Sequence, residues 1–209
     1  MGREELEIIG KGIVKRRVKR VVGLFIDATG LDRATRRLGK NVDLSKLVTG
    51  LTQGLDIEVS RYYSLIPHED DARQLSFLEA VQRAGVEVIT KRLPPKGVKR
   101  QVSIDVQIVT DIMDFTFGTF AREASQLISV NSNESSSTVV APTTPSLKRI
   151  AVIVCPSRDI NYALNLAYKH GTETVLADFG LYGQTDGWKG VDRWVDLSTS
   201  ETIWRESQS

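Results

Sequence analysis

Apolar runs separated by stretches of helical spacing organise this chain. Residues 21–26 (VVGLFI) are apolar throughout, the pattern of a strand covered on both faces. Asp27-Ala28-Thr29-Gly30 breaks the run. Asn41-Val42-Asp43 leads into a predicted helix over 44–51, ended by Gly54. Residues 57–66 (IEVSRYYSLI) are rich in β-branched and aromatic types and read as a second strand. A turn at 67–71 can cap the next helix, 72–84, whose apolar positions are Leu75, Leu78 and Val81 and whose stop signal is Gly85. Residues 86–90 (VEVIT) read as the third strand.

Beyond a Pro-Pro-Lys-Gly loop at 94–97, a helix is predicted over about 103–120. Residues 129–146 are dense in Ser, Asn, Thr and Pro and bury too little apolar surface to offset their ordering entropy, so a flexible insertion is expected there. Residues 149–154 (RIAVIV) suit a fourth strand, 160–170 a helix closed by Gly171, and 174–177 a fifth strand. Residues 191–197 are expected to dock on the sheet. Strands alternating with helices imply an α/β domain with a mainly parallel, five-stranded sheet and helices on both faces. The expected layout is a basic N-terminal extension (1–20), the domain itself (21–197) and a C-terminal tail (198–209).

Composition excludes more than it selects. Of 209 residues, 41% are hydrophobic and 26% charged, as in an ordinary globular protein. No apolar run approaches the roughly 20 residues of a membrane-spanning helix, the N-terminus lacks a secretory pattern, and the single cysteine, Cys155, builds no internal disulfide framework. A cytoplasmic protein without a membrane partner is the expectation. The net charge of +2 is small, but its distribution is uneven. Lys11, Lys15, Arg16, Arg17, Lys19 and Arg20 crowd the start, and Lys91, Arg92, Lys96, Lys99 and Arg100 form a second group. Either suits a phosphate backbone. The first group equally suits a solvated flank that guards a buried strand from aggregation.

In parallel sheets, ligands bind beyond the carboxyl ends of the strands. Asp27 follows the first strand and would enter that crevice, although Asp-Ala-Thr-Gly is also ordinary turn chemistry. Asp159 follows the fourth strand and precedes a helix, so it is both a candidate ligand and a candidate N-cap. Winding the helix from Ser103 at 100° per residue puts Ile104, Ile108, Ile112 and Phe115 on one arc and Val106, Val109 and Met113 on the next, with Asp105 between them. A carboxylate there is costly unless it meets a cation or hydrogen-bond donors, and a first-turn position gives it the helix dipole. Structural burial of Asp105 against an Arg or backbone N–H groups is the alternative. Asp111 lies at the boundary of that face. His68 and His170 offer no metal-ligand spacing, Cys155 reads as core, and no phosphate-binding glycine loop is present.

Taken in order, these segments resemble the NYN domain, the branch of the PIN-like nuclease superfamily that includes LabA-like proteins. The family's I-D-x-x-N-L is similar to Ile26-Asp27-Ala28-Thr29-Gly30-Leu31. Its V-D-V followed by a second Asp is similar to Ile104-Asp105-Val106 and Asp111, with basic Lys99 and Arg100 before them. Its S-G-D-x-D-F is similar to Cys155-Pro156-Ser157-Arg158-Asp159-Ile160, and its closing A-D-x-F-x-x-L to 191–197. The family Asn is Gly30 here, and the first Asp of S-G-D-x-D-F is Ser157, so two polar members of the usual site are absent.

The resemblance implies a three-layer PIN-like fold and a metal-dependent endoribonuclease, a hydrolase of RNA phosphodiester bonds. Asp27, Asp105, Asp111 and Asp159 would be its catalytic carboxylates, with Mg²⁺ or Mn²⁺ held by Asp27, Asp105 and Asp159. Lys15, Arg16, Arg17, Lys19, Arg20, Lys99, Arg100 and Arg158 would contact the phosphates of single-stranded RNA, and a homodimer is an open expectation. The alternative from another class is an RNA-binding or protein-interaction module that keeps the fold with weak or no cleavage. A Mg²⁺-dependent phosphatase ranks below both, because no covalent D-x-D motif follows the first strand.

Overall fold

The computed structural model describes residues 4–9, 12–69, 71–119, 147–180 and 187–205, with side chains from Val18 onward. The insertion expected at 129–146 lies outside the described residues.

The central strand shows how the layers arise. In β3 (Lys19–Asp27), Val22, Leu24 and Ile26 enter one core cluster while Val21 and Phe25 enter another. That is the period of two of a pleated strand buried on both faces. β6 (Leu147–Val154) divides its residues in the same way. The first cluster is closed by α1 (Ala28–Leu38), α2 (Leu44–Thr52) and α3 (Ala72–Arg83); the second by α4 (Asp105–Phe117) and α5 (Asn161–Lys169). The result is the expected three-layer α/β architecture. Gly23 lets the α4 residue Phe115 lie on the sheet: a Cβ there would come within 2.9 Å of the Phe115 ring.

The sheet has six strands in the order β5-β4-β3-β6-β7-β8, where β4 is Asp56–Ile66, β5 Glu87–Arg92, β7 Glu173–Asp178 and β8 Arg193–Asp196. Every pair is parallel. The sixth strand is the segment expected only to dock: β8 pairs with β7 through Leu176 and Trp194. From β3 the chain builds outward to β4 and β5, then returns to β6 on the other side of β3. The order therefore reverses between β3 and β6, which creates a crevice at their carboxyl ends.

A hairpin and a helix escaped the sequence reading. The basic start forms an antiparallel hairpin, β1 (Glu4–Ile9) with β2 (Gly12–Arg17). Asp27-Ala28-Thr29-Gly30 opens α1 instead of a loop. That helix has a narrow apolar face (Ala28, Leu31, Ala34), but Asp27 caps its start and left-handed Gly39 its end.

Candidate nucleic-acid and metal site

A cleft of about 490 Å³ opens at the β3/β6 crossover, lined by Asp27, Asp105 and Asp178 together with Arg33, Arg158, Trp188 and Trp194. Each carboxylate reaches it by a different route. Asp27 ends the most buried strand and is only 5% exposed. Its Oδ1 accepts from the amides of Thr29 (2.9 Å) and Gly30 (3.3 Å). Capping and a ligand role thus coexist in one carboxylate, because Oδ2 carries no hydrogen bond to the described residues. Burial pushes the Asp27 carboxyl above its ordinary range, the two amides pull it back, and the charge of Asp105 pushes it up further.

Asp105 departs from the expectation of a carboxylate in the middle of an apolar face. The helix begins at Asp105, not Ser103, and its core stripe is Ile108, Ile112 and Phe115, while Val106 is 69% exposed. Half-buried at the first turn, Asp105 lines the cleft. Its Oδ2 accepts a 2.5 Å hydrogen bond from the Ser103 hydroxyl, which itself accepts from the Asp105 amide at 3.0 Å. Lys91 Nζ donates to the Ser103 carbonyl at 2.7 Å, tying this turn to β5. No Arg or Lys forms an ion pair with Asp105 among the described residues; its structural partner there is the Ser103 hydroxyl.

The other two sequence candidates lie elsewhere. Asp111 Oδ2 accepts from the Tyr63 hydroxyl at 2.6 Å and from Arg61 Nη1 at 2.7 Å. Arg61 also donates to Glu87 at 2.8 Å. Burial, then the bond to Asp111, pushes the Tyr63 phenol up, so it stays a donor. Asp111 is an internal fastening between α4 and β4 and does not line the cleft. Asp159 is exposed within a short 3₁₀ turn (Arg158–Ile160) and does not line it either. Its expected capping role belongs to Ser157, whose Oγ accepts from the Asp159 amide at 3.2 Å.

Among the basic candidates, Arg158 lines the cleft, its guanidinium 5.0 Å from the centre of the Trp188 ring. Lys99 and Arg100 are exposed on the loop before α4. Arg100 lines a second depression with His68, Lys91 and Arg92, and Val102 borders both depressions. Lys19 and Arg20 stand at the amino end of β3, roughly 25 Å from Asp27 at 3.3 Å per residue, and pair with Asp56 and Glu173. They are not part of the cleft. The side chains of Lys15, Arg16 and Arg17 lie outside the description.

Sequence reasoning missed Asp178, Arg33, Trp188 and Trp194 as cleft residues. Asp178 ends β7 as Asp27 ends β3, a signal hidden by ending that strand at Ala177. Its Oδ1 accepts from the Phe179 amide at 2.7 Å. The Cys155 thiol is buried and pushed well up by that burial, with Asp178 and Asp27 adding to the effect, which keeps it a thiol and not a nucleophile.

Hard oxygen donors suit Mg²⁺ or Mn²⁺, and Mg²⁺ is commonly held by one or two carboxylates plus substrate phosphate. Asp27 and Asp105 fit that pattern: one is buried, the two interact electrostatically, and each has an oxygen without a hydrogen bond to the described residues. Among the described residues, no three His, Cys, Asp or Glu side chains gather into a complete metal cage. The fit is to a site shared with substrate.

No curated protein matches this chain. A crystal structure of a protein of unknown function from Vibrio parahaemolyticus matches its fold with a TM-score of 0.64 at 12% identity, covering 90% of this chain and 97% of that one. No helix among the described residues is long and apolar enough to cross a membrane. The NYN domain family matches residues 21–130, a span that holds Asp27, Asp105 and Asp111 and stops before β6. With the buried strand ending in Asp27, the helix opening on Asp105 and more than half of the sequence matched, this chain belongs to the NYN domain family.

Proposed function

We propose that the protein is a metal-dependent endoribonuclease that hydrolyses RNA phosphodiester bonds. The observation that carries the reading is the meeting of Asp27 and Asp105 in one cleft at the sheet's crossover, from elements far apart in sequence. The family's nuclease character supports the same direction. Asp27 and Asp105 would hold Mg²⁺ or Mn²⁺, which would polarise the phosphate and activate a water.

The chain's own residues supply the remainder. The Ser103 hydroxyl and the helix N-terminus orient Asp105. Arg33 and Arg158 flank the carboxylates and would grip phosphate oxygens. Lys99 and Arg100 would extend that grip along the strand without reading sequence. Asp178 lines the same cleft and would help position water there.

A second reading has its own support. Asp111 is committed to Arg61 and Tyr63, Asp159 is outside the cleft, and Gly30 and Ser157 replace polar family positions. A module that binds RNA with weak or no cleavage fits those four facts. The deciding experiment follows labelled single-stranded RNA with wild type and Asp27→Asn in Mg²⁺, Mn²⁺ and EDTA. Cleavage that needs metal and Asp27 supports the enzyme. Binding that is unchanged in EDTA, without cleavage, supports the module and overturns the enzyme.

A further inference from the structure

We propose that Trp188 is the wall of a subsite that stacks one unpaired nucleobase, making the cleft selective for single-stranded over paired RNA; this rests on the ribonuclease reading above. Trp188 lies beyond the 21–130 family match. It is half-buried and lines the same cleft as Asp27 and Asp105.

The local structure holds that ring in place from three directions. The carboxamide of Asn161 bonds the backbone on both sides of Trp188: Nδ2 donates to the Gly187 carbonyl at 2.9 Å, and Oδ1 accepts from the Lys189 amide at 2.8 Å. The Arg158 guanidinium, one turn before Asn161, lies 5.0 Å from the indole centre. Two residues on, the Gly190 backbone presses so near α5 that a Cβ would fall 2.4 Å from the Asn165 Cα, and the Gly190 carbonyl accepts from the Thr174 hydroxyl at 2.5 Å. An exposed aromatic usually loses entropy when it orders around a ligand; here that ordering is already done.

The neighbours of the ring select the ligand's chemistry. An indole with the Arg158 guanidinium over it, in a cleft that Arg33 and carboxylates also line, matches one nucleotide: base against indole, phosphate on guanidinium. A base inside a duplex is stacked on its own neighbours and has no free face to offer. Single-stranded segments and loops do, and RNA-binding proteins commonly read them by aromatic stacking.

The test titrates full-length Asp27→Asn, which leaves RNA intact, with oligouridylate and with a duplex of equal length, reading anisotropy and tryptophan emission. Trp188→Leu in that background should weaken single-strand binding about tenfold, within the range of one base–aromatic stack, abolish most of the emission change and leave duplex binding unaltered. Trp188→Phe should retain most of the preference. Asn161→Ala should lower the preference while its melting temperature stays near that of the parent, a result that packing alone would not give. Should Trp188→Leu fail to fold, Asn161→Ala and Trp188→Phe decide the matter. If single-strand preference is unchanged in the variants while wild type still cleaves, the wall is packing and the ribonuclease reading survives. If wild type neither binds nor cleaves RNA, both fall.

Discussion

A Cβ added to Gly30 would lie 1.8 Å from the carbonyl oxygen of Cys155. The glycine that replaces the family Asn is thus tied to the turn that ends β6. Cys155 takes a left-handed backbone, φ 51°, at the end of β6, and that conformation points its carbonyl into the first turn of α1. Only glycine fits beneath it. Restoring the family residue by Gly30→Asn should therefore fail to restore a site. Gly30→Ala should already cost about 1–3 kcal/mol, the usual range for forcing atoms into a packed region. A thermal melt checks this; a chain of this length loses roughly 2–4 °C per kcal/mol. A variant that melts with wild type would mean the Cys155 turn yields freely.

Asp27 gives a pH dependence whose sign is fixed by burial. Its folded pKa is raised above the ordinary 3.8, so the native state keeps the proton longer than the unfolded chain. Stability from this group is full below the unfolded value and falls as pH rises through the folded one. Asp27→Asn removes the charge and keeps a good helix cap. In EDTA at neutral pH the variant should melt at or above wild type, and the difference should vanish in acid. Added Mg²⁺ or Mn²⁺ should raise the wild-type melting temperature and leave the variant unmoved. A neutral-pH loss of several degrees in EDTA would show that the Asp27 charge serves a structural partner instead.

The sheet was legible because its central strands are buried on both faces: VVGLFI and RIAVIV leave little choice of structure. Asp27 was legible for the same reason, as the first charge after such a run. α1 was not, because Thr29, Gly30 and Thr35 are poor helix formers and its apolar face is three residues wide. Asp111 illustrates a deeper limit. Motif spacing finds an Asp near the site, yet only the fold reveals Arg61 and Tyr63 waiting for it on β4. Trp188 was visible as an aromatic but not as a wall, since Asn161 and Gly187 meet only after the chain has closed.

Asp105 and Asp111 share one helix and should respond to the same change in opposite ways. Asp105→Asn keeps an oxygen for the Ser103 hydroxyl, so its fold should stay within about 1 kcal/mol of wild type, as for a substitution away from buried networks. Metal-dependent cleavage should be lost. Asp111→Asn weakens the partner of Arg61 and of the buried Tyr63 hydroxyl. That should cost about 2–3 kcal/mol, the scale of a hydrogen bond to a charged group, softened because Arg61 keeps Glu87. Where Asp111→Asn remains folded, it should still cleave. Denaturant melts beside single-turnover cleavage separate the two, and a stable, inactive Asp111→Asn would return that carboxylate to the catalytic set.

The two basic regions should separate by salt dependence. Arg33 and Arg158 line the cleft with the carboxylates, whereas Lys19 and Arg20 lie at the opposite end of β3 and already pair with Asp56 and Glu173. Each phosphate contact on single-stranded RNA adds about −0.7 to the slope of log K against log salt. Neutralising Arg33 and Arg158 to Gln should flatten that slope by roughly 1.4 and weaken binding across sequences. Lys99→Gln with Arg100→Gln should flatten it further if the strand runs toward the neighbouring depression. Lys19→Gln with Arg20→Gln should leave the slope alone and lower the melting temperature slightly, through the lost pair with the half-buried Glu173. Binding isotherms at several salt concentrations read all three pairs. A slope that falls with Lys19 and Arg20, and not with Arg33 and Arg158, would put the RNA at the amino end of the sheet. It would then be far from Asp27, and the cleft could not be where the strand is cut.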